Sequence, residues 1–304
     1  MLPYTLTLST PNKPDRPDRI FCSTDMIGYG LWSEFLKLPN ITPQYFSSED
    51  TTNEIPESDF TVIHCCFDRP IFGRLPEIRA KTKHKIMLVM EFEYNGPNGN
   101  LIDHSFTYIV RPNTEQIPLP CYKLFLNESY APKVPKSILL DHQWSHTKEH
   151  EDMCHLLYGW FESHQIAQLR RPVCEAIPVP DWVHSINITD YRNYLLQTAQ
   201  YETFIVTHRG SYEHSIIDMA ARGTCVLVPT KDGHTFCHPS IVEDLNLSTF
   251  STKEELFALL EKPPLPKPIT KFTDMPDIAA KIDAYCQTVL VSSKPWENGH
   301  DCST

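Results

Sequence analysis

Glycine is scarce in this chain, with ten residues in 304, and the pair Gly28 and Gly30 falls short of the glycine-rich turn that cradles phosphates in dinucleotide sites. Positive charge is also in deficit. Against 38 acidic side chains stand 27 Lys and Arg, a formal net charge of −11, which argues against an extended surface that tracks nucleic-acid phosphates. The short basic runs Lys81–Lys85 and Arg170–Arg171 leave room only for a local anion contact and otherwise read as solvated surface. No stretch approaches the roughly 18 apolar residues of a membrane helix. The opening Met1–Thr5 lacks the basic region and apolar stretch of a secretory signal, so a cytoplasmic location is expected. The ten cysteines contain no CxxC pair and are scattered singly apart from Cys65 and Cys66, which points to reduced, mostly buried thiols.

What is present is a globular composition, 41% hydrophobic and 11% aromatic, over a length that suits two domains of about 100 to 200 residues each. Strand-like and helix-like segments alternate, the pattern of parallel sheets covered by helices. In the first half the expected strands are Arg19–Ser23, Asp59–Cys66, Lys85–Met90, Phe106–Val110 and Tyr122–Leu126. A glycine-containing turn, Thr24–Gly30, is expected to lead into a helix over Leu31–Leu38. The proline-bearing segment Tyr130–Lys136 reads as a stiff connector and marks the domain boundary.

The pattern then restarts with a strand at Ser137–Asp141 and helices from Glu149 to about Ser163 and over Tyr191–Thr198. Its clearest unit is a crossover: strand Thr203–Thr207, loop His208–Tyr212, helix Glu213–Arg222, the stop Gly223 and strand Cys225–Pro229. Thr252 followed by Glu254 and Glu255 announces another helix. A last helix is expected over 276–290, returning to the N-terminal half, and 292–304 reads as a disordered tail.

The run Phe204–Pro229 resembles the donor-binding segment of GT-B glycosyltransferases, in which a strand ends in a polar loop, a helix carries an acidic residue before a small-residue turn and glycine, and a strand ends in proline. Asp218–Gly223 stands where that family has Glu-Ala-Met-Ala-x-Gly. Similar likenesses are Asp59–His64, Leu124–Ser129, Ser137–Asp141 with Lys148, and His238 through Leu256. The resemblance implies an α/β fold of two Rossmann-like domains facing a cleft, at 1–130 and 137–268, with the helix 276–290 packed back on the first. It also implies a sugar transferase that takes a nucleoside-diphosphate sugar as co-substrate and needs no further cofactor or metal. The acceptor is left open among a glycan, a small molecule and DNA. The chain departs from the Glu-x7-Glu pattern of many retaining members: Gly210 occupies the first position and the shorter Asp218 the second. Two alternatives therefore stand beside transfer, a catalytically inactive GT-B-like scaffold and a viral enzyme that glycosylates DNA bases.

The chemistry of such a reaction names the candidates. A diphosphate suits a loop that opens onto a helix and supplies backbone N–H groups and a cation, here His208, Arg209, Gly210, Ser211, Tyr212 and Glu213, with Lys148 as a second cation. Asp218 is placed by the resemblance to contact ribose or sugar hydroxyls and is carried as a catalytic candidate. On the acceptor side Asp25, His64, Asp68 and Glu91 fall at or just beyond the carboxyl ends of expected strands, where α/β sheets bind ligands. Burial of Glu91 behind an apolar strand would raise its pKa toward the range of a general base. His142, His146 and His150, and His234 with Cys237 and His238, have spacings a metal could use, but no closed set of four ligands is visible and none is assigned.

Overall fold

The structure, a computed structural model, describes residues 1–11, 23–64, 70–90, 94–107, 114–116, 131–140, 148–170, 181–187, 190–207, 214–237, 239–264 and 275–293. Contacts divide the chain into two units, Met1–Asp15, Ile27–Ile117 and Asp274–Thr304 forming the first, Arg16–Met26 and Pro118–Thr273 the second. Among the described residues no helix is long and apolar enough to cross a membrane.

Unit 1 is built on strands β1 (Tyr4–Thr10), β2 (Ile41–Ser47), β3 (Ser58–His64), β4 (Thr82–Met90), β5 (His104–Thr107) and β6 (Glu115–Gln116). They form one sheet in the order β2-β1-β3-β4-β5-β6, with every pair parallel. Its first strand is not the expected one. The Thr and Leu alternation of β1 suits a pleated surface buried on both faces, and from Leu6 to Thr10 the strand is fully buried. Residues 24–30, read from the sequence as a glycine turn, are helical: helix α1 spans Ser23–Phe35, and 19–22 lie outside the described residues. Ile27, Leu31 and Phe35 recur every four residues and are wholly buried, so the apolar stripe outweighs the glycines' poor helix propensity. Gly28 also has a packing role, since a Cβ there would approach Thr10 Cγ2 to 2.7 Å.

One face of this sheet is covered by helix α2 (Leu75–Lys81) and the turn before it, which bury Ile71, Phe72, Leu75 and Ile78 against Ile63, Ile86 and Leu88. The C-terminal helix of the chain (Met275–Ser292) belongs to the same unit. Its Asp283 carboxylate, buried, accepts hydrogen bonds from Tyr4 Oη at 2.9 Å and Asn40 Nδ2 at 2.7 Å. Gln287 accepts from the Leu2 N–H at 2.8 Å and donates to the Leu2 carbonyl at 2.9 Å, and His104 stacks on Tyr285 at 4.4 Å. Burial pushes the Tyr4 phenol well above its ordinary range and the Cys286 thiol up to about 12.

Unit 2 contains β7 (Val134–Leu140), β8 (Gln165–Arg170), β9 (His184–Asn187), β10 (Tyr201–Ile205), β11 (Cys225–Lys231), β12 (His234–Thr235) and β13 (Ser248–Phe250). Across the sheet they run β9-β8-β7-β10-β11-β13, parallel throughout, with β12 folded back on β11 through an Asp232-Gly233 turn. Both turn residues have positive φ, 54° and 77°, as a tight hairpin requires. In order of appearance the parallel strands follow the dinucleotide-fold pattern 3-2-1-4-5-6. β7 begins at Val134, so the end of the expected connector, from Val134 to Lys136, is strand; Pro135 is accommodated near its start, before the regular pairing.

The helices of unit 2 are α3 (Lys148–Leu157), α4 (Tyr191–Thr198), α5 (His214–Ala221), α6 (Pro239–Leu245) and α7 (Lys253–Glu261), and the C-terminal helix of unit 1 is α8. Their ends follow local chemistry. Asp190 caps α4 by accepting from the Asn193 N–H, and Thr252 and Glu255 form a reciprocal capping box on α7. Gly223, at φ 74°, ends α5: its N–H bonds the Ala220 carbonyl at 3.0 Å and the Thr224 N–H bonds the Met219 carbonyl at 3.0 Å. Cys154, Cys225, Cys237 and Cys286 are buried. The expected strand at Tyr122–Leu126 and the tail after residue 293 lie outside the described residues.

Candidate functional site

In unit 2 the strand order reverses between β7 and β10. The chain leaves β7 toward β8 on one side and leaves β10 toward β11 on the other, and such a switch point opens a crevice at the carboxyl ends of the two strands. Two segments continue directly from those ends, 141–147 after Leu140 and 208–213 after Thr207. His208, Arg209, Gly210, Ser211, Tyr212 and Glu213 therefore follow the switch-point strand in sequence, though they lie outside the described residues. Lys148 opens α3, the helix after β7, and its side chain is likewise outside them.

Asp218 is described in full. It lies in the middle of α5, the helix that follows the 208–213 segment, and is 6% exposed. Tyr191, at the start of α4, donates its hydroxyl hydrogen bond to Asp218 Oδ2. Four residues on, just past the end of α5, Arg222 places Nη1 3.7 Å from Asp218 Oδ1 and donates from the same nitrogen to the Asp218 carbonyl at 2.6 Å. Burial and the adjacent carboxylate raise the Tyr191 phenol well above its ordinary range, so it remains a donor. A carboxylate offers about four acceptor positions, and Tyr191 and Arg222 are two of the groups around this one. Tyr191 and Arg222 were not singled out from the sequence. The four-residue spacing of Asp218 and Arg222 was a usable signal; for Tyr191, 27 residues from Asp218, there was none.

Arg222 has a second cation near it. Lys133, just before β7, donates to the Ala199 carbonyl at 2.6 Å and to Thr224 Oγ1, tying together the amino-terminal ends of β7, β10 and β11. Burial, and after it the like charge of Arg222, bring its ammonium down to about 8 from 10.5. Below pH 8 folded and unfolded chains both hold this proton; between about 8 and 10.5 the unfolded chain holds more, so the contribution of Lys133 makes stability rise with pH there. The unfolding free energy of the protein minus that of Lys133→Met, followed by denaturant titration, should therefore climb across that interval. A flat or falling difference would contradict this placement of the amine.

In unit 1 the corresponding switch point lies between β1 and β3. His64 is the last residue of β3 and is buried, with Nδ1 2.9 Å from the Val89 carbonyl. Nδ1–H is the donor in that bond, so the neutral ring carries its lone pair on Nε2. Asp25 sits in the first turn of α1, 7% exposed. Glu91 follows the last residue of β4, and with Asp68 it lies outside the described residues. Of the histidines and cysteines with metal-like spacing, His142, His146 and His238 lie outside them too. Among the described residues no group of three or more His, Cys, Asp or Glu is placed to hold a metal.

No protein-family model matches the sequence, and a search of curated proteins finds no match. Solved structures do match. The UDP-GlcNAc 2-epimerase of Methanocaldococcus jannaschii, in complex with UDP-GlcNAc and UDP, is 11% identical, with 92% of this chain and 99% of that one covered at a TM-score of 0.56. UDP-GlcNAc 2-epimerase from Neisseria meningitidis, bound to UDP-GlcNAc, is 10% identical over 93% and 99% of the two chains, with a TM-score of 0.53. An alpha-glucosyltransferase in complex with UDP and a 13-mer DNA is 8% identical over 93% and 92%, with a TM-score of 0.52. The fold is thus the GT-B type, two Rossmann-like α/β units in one chain.

Proposed function

We propose that the protein transfers a sugar from a nucleoside-diphosphate donor to an acceptor hydroxyl, with the donor held by unit 2. The observation that carries this reading is the crossover from β10 through 208–213 to α5 and β11, set beside the switch point of a 3-2-1-4-5-6 sheet. Arg209 and the backbone N–H groups of Gly210, Ser211 and Tyr212 hold the diphosphate at the positive end of α5, with His208 and Glu213 flanking and Lys148 adding charge from the start of α3. Asp218 accepts from a ribose or sugar hydroxyl alongside Tyr191. In the reaction the bond from the anomeric carbon to the phosphate oxygen breaks, the acceptor oxygen bonds that carbon, and the acceptor proton passes to a base. Asp25, His64 and Glu91 are the candidates for that base, and Arg209 stabilises the charge left on the diphosphate. No cofactor or metal enters the scheme. The likenesses to structures of a UDP-GlcNAc 2-epimerase and of an alpha-glucosyltransferase in complex with UDP support a uridine nucleotide sugar.

Two of those structures are epimerases, and that favours one further reading, inversion at a sugar carbon without transfer. A single assay separates the readings: a panel of nucleotide sugars is incubated with oligosaccharide, small-molecule and duplex-DNA acceptors, and released diphosphate, acceptor mass and sugar configuration are followed together. Transfer gives diphosphate release matched by a hexose or N-acetylhexosamine added to one acceptor. A donor epimer with no acceptor gain overturns it in favour of epimerisation. Binding of the nucleotide sugar without turnover leaves the inactive scaffold. Gain on DNA alone would assign the DNA-base alternative, for which the net charge of −11 offers little general support.

A further inference from the structure

The face of the unit 1 sheet beneath the connection from β2 to β3 carries oxygens that the fold leaves without partners. Strand alternation puts Thr7 and Ser9 of β1 on one face, and parallel pairing sets Thr7 beside Gln44 and Ser9 beside Phe46 of β2. Thr7 and Ser9 are fully buried and Ser48 is 1% exposed. Thr7 Oγ1, Ser9 Oγ, Gln44 Oε1 and Ser48 Oγ are all withdrawn from solvent and make no hydrogen bond.

On this face the connection 48–57 contributes Ile55 to the apolar layer that holds Phe46, Ile63 and the buried side of α2. Arg74 fixes the segment by donating to the Asp50 carbonyl at 3.0 Å and the Asn53 carbonyl at 2.7 Å. The Asp50 carboxylate stiffens it further, accepting from the Thr52 N–H and hydroxyl at 2.7 Å each.

Buried polar groups in folded proteins almost always have partners. The chemistry of this set selects which partner fits. Gln44 Oε1 only accepts, and each hydroxyl both donates and accepts, so small molecules that themselves both donate and accept, spaced along the strands, complete the set. A cation is disfavoured because no carboxylate joins the group: Asp59, on the same face, is committed at the other end of β1 to the Thr5 N–H and hydroxyl, at 2.8 and 2.9 Å, and to Lys83 at 3.6 Å. We propose that Thr7, Ser9 and Gln44, with Ser48 at the carboxyl end, form a binding site for ordered water that is an integral part of unit 1.

The test combines water magnetic relaxation dispersion, which counts long-lived internal waters, with thermal melting of the full chain. Thr7→Val should lose at least one long-lived water and melt about 2 to 4 °C lower, whereas Thr7→Ser, which keeps the hydroxyl, should retain both. If Thr7→Val does not fold, Ser9→Ala is read in the same way. An unchanged water count with a higher melting midpoint would show an orphaned hydroxyl and overturn the proposal. So would a midpoint that rises when choline chloride is replaced by sodium or potassium chloride at equal ionic strength, which would assign the site to a cation.

Discussion

With Arg209 replaced by alanine, the protein is expected to bind a nucleoside diphosphate about 10-fold to more than 100-fold more weakly, because a charge-assisted contact worth about 1.5 to 3 kcal/mol is removed. The fold should survive. Arg209 stands between β10 and α5, and the elements on either side are secured without it: β10 by pairing on both edges with β7 and β11, α5 by its glycine stop and by the Asp218 contacts. Calorimetric titration checks the affinity and a melting curve checks the fold. Equal affinity in the two proteins, with equal melting, would place the diphosphate somewhere other than the 208–213 segment.

Asp218→Ala should be the most damaging single change to stability in unit 2. The substitution removes the carboxylate nearest the Arg222 guanidinium, whose side chain is 3% exposed, and an acceptor of the Tyr191 hydroxyl, which burial prevents from ionising. Removing one partner of a buried charge pair costs about 3 to 5 kcal/mol, because the remaining charge is left uncompensated. Asp218→Asn keeps the shape and one acceptor oxygen and should cost less, which makes it the better variant for reading donor recognition. Urea titration of both variants measures the difference. If Asp218 also contacts the donor, Asp218→Asn lowers affinity for the intact nucleotide sugar more than for the bare diphosphate. Stability within about 0.5 kcal/mol of the unaltered protein for Asp218→Ala, the range of ordinary surface substitutions, would show that the carboxylate is not the buried partner described above.

How far the sequence revealed this structure depended on whether local chemistry and tertiary context agreed. The β10–α5–β11 crossover was legible because its signals are local: apolar β-branched strands, a helical stripe and a glycine, Gly223, at a position of positive φ. The same holds for α7, where Thr252 and Glu255 cap one another. β1 was missed because its threonines and serine read as polar, although they are buried in the middle of a sheet. β2 was hidden by Pro43, which a strand tolerates only at an edge, and β2 is an edge strand. The first half of α1, up to Gly30, was mistaken for a turn because Gly28 and Gly30 outweighed, on local propensity, a stripe whose worth comes from burial. At the site, Asp218 could be named from its place on a helix after a polar loop. The Tyr191 contact is made by chain folding alone, and neither residue's neighbourhood hints at the other.

Whether unit 2 holds a nucleotide sugar is decided by calorimetric titration of the unaltered protein with UDP and with a UDP-sugar, set against Arg209→Ala. The expected result is saturable one-to-one binding of both ligands, weakened about 10-fold to more than 100-fold by the substitution. No heat of binding and no rise in melting temperature with any nucleoside diphosphate or nucleotide sugar at millimolar concentration would contradict it.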